Sequence, residues 1–303
     1  MVSNFSLLKY PTIAATAPPS NRMNWLEPPR ASSPKTKTLN ASIATRISTG
    51  INATSQLNAI KKFIKSSDLK KTIFLMPKQN YEVEVKKAIK NSNIKLYKTH
   101  LYNTEPTQLT KQIEKITNYK IRKQNLADEI KRVENSDLID KEKQLEKLEK
   151  KYTIGNVNFN SVIVSDFDES LKSVITSLLY TDVSPKKKYF ISFNQWFDES
   201  ILNEETIQPI YYPSINKNNL IDFKNKFKKE FNEFPSYLAL LSYDLVGLIY
   251  YLSLKSGEAD INRLFKEESS FKGKIGIFDI ENNKIYHKLN IYQIDNGKLK
   301  EIF

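Results

Sequence analysis

Between residues 54 and 104 the chain alternates between a helical period and short unbroken apolar runs, and few folds tolerate that rhythm. TSQLNAIKKFIK (54–65) puts Leu57, Ile60, Phe63 and Ile64 on one helical face. KKTIFLMPK follows, whose apolar run Ile73–Met76 reads as a buried strand stopped by Pro77. YEVEVKKAIKN then reads as a helix and IKLYKTHLY (94–102) as a second strand. Strand, helix and strand in so short a span make one right-handed βαβ unit. The rhythm resumes at FNSVIVSDF (159–167), with DESLKSVITSLLYTD as a helix, then KKKYFISFNQW and QPIYYPS as strands. Residues 68–104 and 158–212 are therefore expected to form one mostly parallel sheet with helices on both faces.

The segment 105–152 interrupts this pattern. Leu109, Ile113, Ile116, Leu126, Ile130 and Val133 recur at three- and four-residue steps. A second stripe (Leu138, Leu145, Leu148, Tyr152) follows Asn135–Ser136–Asp137, and the other faces are charged. An antiparallel helical hairpin projecting from the domain is expected. After residue 215, NLIDFKNKFKKEFNEF and YLALLSYDLVGLIYYLSL read as helices. The second is apolar nearly all round and is expected to be the most buried helix of the chain. FKGKIGIFDI, NKIYHKLNIYQI and GKLKEIF read as closing strands, separated by the turn signals at 281–283 and 295–297. Residues 1–47 differ: Pro18, Pro19, Pro28, Pro29 and Pro34 break any helix or central strand. That segment is expected to be disordered or loosely attached. It shows no charged stretch followed by an apolar core, so it does not read as a signal peptide.

Composition narrows the function. No cysteine is present, which removes thiolate nucleophiles, disulfides and cysteine metal ligands. The two histidines, His100 and His287, lie in separate segments, so neither a histidine metal site nor a Ser–His–Asp triad is motivated. Seven glycines are too few and too scattered for a dinucleotide or Walker loop. No cofactor and no metal are expected. The net charge of +13 comes mostly from lysine interleaved with Glu and Asp along helices, and reads as solvated surface rather than a nucleic-acid footprint. No run approaches the roughly 18 apolar residues of a membrane helix.

A series of motifs in order adds to this reading. Phe223–Phe231 (FKNKFKKEF) with Glu233–Phe234–Pro235 comes first, followed by Tyr243–Asp244–Leu245–Val246. Phe271–Lys272–Gly273 with Ile275–Gly276–Ile277–Phe278–Asp279, and Asp295–Asn296–Gly297–Lys298, complete the series. Together they resemble the leucine/isoleucine/valine-binding family of type 1 periplasmic binding proteins. FLMPKQNY (74–81) resembles the family's segment after its strand, with Glu82 where the family has glycine, and Leu245 stands for the usual alanine. Asn194–Gln195–Trp196 with Asp198, and the helical insertion, are closer to a divergent branch that includes penicillin-binding protein activators.

The resemblance implies an α/β fold of two lobes with mostly parallel sheets, the first lobe incomplete, carrying a helical-hairpin insertion at 105–152. Residues 68–212 would form the second lobe and 213–303 the return to the partial first lobe, all within a domain spanning 48–303. It implies a non-enzymatic solute-binding receptor in the periplasm, for an amino acid or related small molecule. The alternative is an interaction module that activates a cell-wall synthase. Ligand-binding candidates are Tyr81, Asp166, Asp168, Glu169 and Trp196, all just past carboxyl ends of predicted parallel strands. For the three acids, capping and dipole placement at the helix that follows, which needs no ligand, is the slightly favoured role. For Trp196 and Phe197, packing at a hinge is favoured over ligand stacking.

Overall fold

The structure is a computed structural model. It describes residues 51–79, 81–256, 269–281 and 284–303, so the expectation for residues 1–47 lies outside the described residues.

Helix α1 (Ala53–Ser66) begins at Asn52, whose side chain accepts from the Ser55 amide. Then follow β1 (Thr72–Pro77), α2 (Glu82–Ser92) and β2 (Lys98–Tyr102). The insertion holds three helices, α3 (Pro106–Ile116), α4 (Tyr119–Glu134) and α5 (Lys141–Glu149). Next come β3 (Ser161–Val164), α6 (Asp168–Tyr180), β4 (Tyr189–Ser192), the single-turn α7 (Glu199–Leu202) and β5 (Ile210–Ser214). The remainder is α8 (Lys217–Phe231), α9 (Tyr237–Ser256), β6 (Ser269–Lys272), β7 (Ile277–Glu281), β8 (Lys284–Lys288), β9 (Asn290–Asp295) and β10 (Lys298–Glu301).

The main sheet has the order β10-β9-β5-β4-β3-β1-β2. Strands β2, β1, β3, β4 and β5 are parallel, as the rhythm of the sequence required. Successive side chains of a strand point to opposite faces, and the core divides accordingly. Ile73 and Leu75, Val162 and Val164, and Phe190 join Leu171, Val174 and Leu178 of α6 and Leu109 and Ile113 of α3. Phe74, Met76, Ile163 and Ile191 join Leu57, Ile60 and Phe63 of α1 and Val85 and Ala88 of α2. A sheet covered on both faces explains why its strands read as unbroken apolar runs.

The structure departs from expectation in three places. The hairpin proper is α4 with α5, which bury Leu126, Val133 and Leu148 against each other, whereas α3 packs on the sheet core. Asn118 in the left-handed region (φ 52°) turns the chain between α3 and α4, a conformation asparagine tolerates better than most residues. FKGKIGIFDI and NKIYHKLNIYQI, each read as one strand, are each two: β6 and β7 turn back on each other, and β8 pairs with β7 in a separate antiparallel sheet (β6-β7-β8). β9, by contrast, adds antiparallel to β5, so residues 290–301 complete the main sheet. Third, by its described side chains α9 is not the most enclosed helix. Leu240, Asp244, Leu248 and Leu252 form its buried stripe, while Val246, Tyr250 and Leu254 on the other side are 65%, 62% and 67% exposed. Hydropathy specifies what a helix can bury, and among the described side chains of α9 one side is covered and the other is not. Leu248→Ala is therefore expected to lose about 2–5 kcal/mol in urea denaturation, and Val246→Ala under about 0.5 kcal/mol.

Candidate functional site

From β1 the chain moves outward to β2 and then crosses to β3 on the other side of β1, making a topological switch between β1 and β3. Open α/β sheets place ligand crevices at the carboxyl ends of strands at such a point. Four of the sequence-predicted residues arrive there. Tyr81 opens α2 just beyond β1, while Asp166, Asp168 and Glu169 follow β3.

The groups nearest the switch are bonded to one another. The Tyr81 hydroxyl donates to the Ser165 carbonyl at 3.1 Å, bridging the ends of β1 and β3. The Tyr102 hydroxyl, at the end of β2, donates to Asp166 Oδ2 at 2.6 Å, and Asp166 Oδ1 accepts from the Phe167 amide at 3.1 Å. Gln195, beyond β4, donates from Nε2 to the Asp166 carbonyl (3.2 Å) and the Phe193 carbonyl (2.9 Å). Four strand ends are thus tied by one network around a buried carboxyl group.

Burial pushes the Asp166 carboxyl above its ordinary range, opposed by the bonds from Tyr102 and Phe167 and reinforced by Asp168. Burial and the neighbouring Asp166 push the Tyr81 and Tyr102 hydroxyls upward as well. Because folding raises this carboxyl's pKa, the native state holds the proton more tightly than the unfolded chain. Its contribution is fully present below the ordinary carboxylate pKa and is lost as pH rises through the raised value. Asp166→Asn keeps an acceptor for the Phe167 amide, and its Nδ2 can donate to the Tyr102 oxygen. It is expected to remain flat where the wild-type urea midpoint falls as pH rises above the ordinary carboxylate range, and to exceed the wild type at the upper end.

The other candidates face outward. Asp168 is exposed, begins α6 and sits in the left-handed region (φ 48°), and exposed Glu169 pairs with Lys172 at 2.9 Å. Phe167 holds the N-cap position of α6 with no side-chain cap bond, so the acids do not cap that helix with their side chains. Trp196, next to Gln195 past the end of β4, turns toward α9: its ring lies 4.7 Å from that of Tyr237, and it packs against the cluster of Ile215, Leu220 and Leu240. Trp196 and Phe197 are consecutive bulky residues at φ 51° and 59°, a backbone cost of about 1–3 kcal/mol each. Asn194 Oδ1 accepts from the Trp196 amide at 2.9 Å, and the Phe197 ring meets Tyr292 edge-on at 5.0 Å, which holds the turn.

Sequence reasoning missed Tyr102, and used Asn194 and Gln195 as a mark of resemblance without placing them in the site. Tyr102 could have been found as the last residue of a strand parallel to the one that Tyr81 follows. Asn194 and Gln195 are 2% and 5% exposed, and their bonded atoms fix the orientation of each amide. Asn194 Nδ2 and Gln195 Oε1 are left with no hydrogen-bond partner. The two histidines, for their part, lie in different sheets, His100 on β2 and His287 on β8.

No protein-family model matches the chain, and no curated protein matches its sequence. Solved structures do. A branched-chain amino acid ABC transporter periplasmic ligand-binding protein from Burkholderia xenovorans superposes with TM-score 0.55 at 9% identity, over 84% of this chain and 64% of that one. The C-domain of LpoA from Haemophilus influenzae, a regulator of PBP1A, superposes with TM-score 0.51 at 12% identity, over 84% of this chain and 68% of that one. The chain thus spans about two thirds of the length of these neighbours, and it has the type 1 periplasmic-binding-protein fold. The neighbours are a solute-binding protein and a regulator of a penicillin-binding protein.

Proposed function

We propose that this chain is a non-enzymatic protein-interaction module of the kind that regulates a peptidoglycan synthase, working in the periplasm. One observation carries the choice: at the switch crevice, most of the side chains that would grip a solute are already engaged within the protein. Tyr81 is committed to Ser165 and Asp166 to Tyr102, while Glu169 is paired to Lys172. A solute site needs charged or polar groups whose bonds are completed by the ligand. The likeness in fold to the LpoA C-domain supports the same reading. Among the described residues no helix is long and apolar enough to cross a membrane.

A solute receptor is the second reading, and Asn194 Nδ2 and Gln195 Oε1 favour it, because a ligand could complete their bonds. Binding to the native state alone raises the thermal midpoint through linkage, so the two readings separate cleanly. The chain is expected to give no shift with any of the twenty amino acids and to be retained by an immobilised, purified peptidoglycan synthase. A saturable rise in Tm with one amino acid, lost in Gln195→Met, together with no retention by the synthase, would establish the receptor instead.

A further inference from the structure

The opposite end of the main sheet carries a surface of distinct chemistry. Lys71 immediately precedes β1, residues 150–160 lead into β3, and residues 182–188 lead into β4. Because these three strands are parallel, their leading segments converge at one edge, remote from the carboxyl ends that hold Tyr81 and Asp166. There they frame a depression of about 490 Å³ between the α5–β3 segment and the α6–β4 turn. A second depression of about 340 Å³, reaching Lys71, shares Asn156, Val157 and Lys188 with the first.

The lining is strongly one-signed. Arg122, Lys150, Lys151, Lys187 and Lys188 face the larger depression, against a single carboxylate, Asp182. That carboxylate is already engaged, accepting from Thr153 Oγ1 at 2.6 Å and lying 3.6 Å from Arg122. Lys150 is paired with Glu146 on α5. Among the described residues, Lys187 and Lys188 make no salt bridge. Lys188 is half-buried beside the like-charged Arg122, and both burial and that neighbour lower its pKa. A partly desolvated ammonium with no counter-charge is unfavourable, and a bound anion relieves it.

We infer that this groove is a docking site for an acidic, extended polypeptide segment of a partner protein. Lys188 is only partly exposed within a concave surface, which suits an extended chain better than a flat bilayer. The cations suit carboxylates better than phosphate, since the free ones are lysines, point charges spread over two adjoining depressions. The one guanidinium is occupied, as Arg122 donates to the carbonyls of Gly155, Thr181 and Asp182 and to Thr153 Oγ1, leaving no fork for a phosphate. Asn156 and Tyr152, both exposed on the lining, suit the amides and the apolar side chains of an extended peptide. Neither reading of the crevice is needed for this inference, because the groove lies at the other end of the strands.

The test is fluorescence anisotropy of a labelled oligo-glutamate peptide with the full chain at low ionic strength. An isosteric oligo-glutamine peptide serves as the neutral control. Lys187→Glu/Lys188→Glu is expected to weaken binding about tenfold or more, because like charges then face the peptide. Lys226→Glu/Lys229→Glu, the same charge change on the exposed side of α8, is expected to alter it less than about twofold. Lys188→Gln, which introduces no buried charge, is expected to show an intermediate loss with an unchanged thermal transition. Equal losses in the two charge-reversed pairs would show a general effect of net charge and overturn the site. So would displacement of the peptide by inorganic phosphate, by RNA or by anionic vesicles at lower charge equivalents than free oligo-glutamate requires.

Discussion

Asp244→Ala is expected to destabilise the protein by about 3–5 kcal/mol. Asp244 lies on the buried stripe of α9 and is 5% exposed. Its carboxylate accepts from three successive amides, Lys274 at 2.7 Å, Ile275 at 2.9 Å and Gly276 at 3.1 Å. The turn is closed beneath it by the Gly273 amide donating to the Gly276 carbonyl at 2.8 Å. Alanine leaves those donors partly or fully buried without an acceptor, at about 1–3 kcal/mol for each one not rescued by water. Gly273 is bound to the same arrangement, since a Cβ there would lie 2.3 Å from Asp244 Oδ2. Gly273→Ala should thus be costly alone and much less costly in the Asp244→Ala background. Urea denaturation of the double-mutant cycle checks this, and additive losses would show that the two residues act separately.

Arg122→Ala is expected to cost a comparable amount, about 3–5 kcal/mol, although arginine on a charged helix ordinarily contributes little. Its guanidinium is buried between α4 and the loops that lead into β3 and β4. The bonds are 3.2 Å to the Gly155 carbonyl, 2.9 Å to Thr181, 2.7 Å to Thr153 Oγ1 and 3.3 Å to the Asp182 carbonyl. Removal leaves these acceptors and the Asp182 carboxylate without their cation. Lysine should rescue little, because one ammonium cannot reach acceptors arranged around a planar fork. It also follows that α4 is fastened to the core, so excision of 119–149 should lower the thermal midpoint even if the sheet survives. Calorimetry of Arg122→Ala, Arg122→Lys and the excised chain gives the order of effects.

The parallel sheet was legible because burial on both faces imposes unbroken apolar runs, as at Ile73–Met76 and Val162–Val164. The helices α1 and α6 were legible from their three- and four-residue stripes. What was lost has physical causes. No turn residue separates β8 from β9, and the strand period runs through Leu289 while the pairing partner changes. Nothing in Trp196–Phe197 announces a left-handed backbone, because bulky residues adopt it only when tertiary packing compels them. At the crevice, Tyr81 and Asp166 were placed at the right strand ends, but their bonding was not legible. The partner of Asp166 is Tyr102, 64 residues earlier, and a strand-end acid reads alike whether it waits for a ligand or is already paired. The cationic groove was hidden for a related reason: Lys71, Lys151 and Lys188 are scattered in sequence and meet only because parallel strands align their starts.

The pairing of β5 with β9 bears on how the chain reaches its native state during synthesis. Tyr211 and Gln293 are register partners 82 residues apart, so strand β5 must wait for most of the last quarter of the chain before its outer edge is covered. Until then Ile210 and Tyr212, buried in the finished protein, flank an open row of backbone donors and acceptors able to template a foreign strand. Contacts of such separation are slow to close, and the waiting intermediate is the species most exposed to aggregation. The exposed Lys298, Lys300 and Glu301 on β10 show the complementary device, a final edge made too polar to recruit another strand once the sheet is complete.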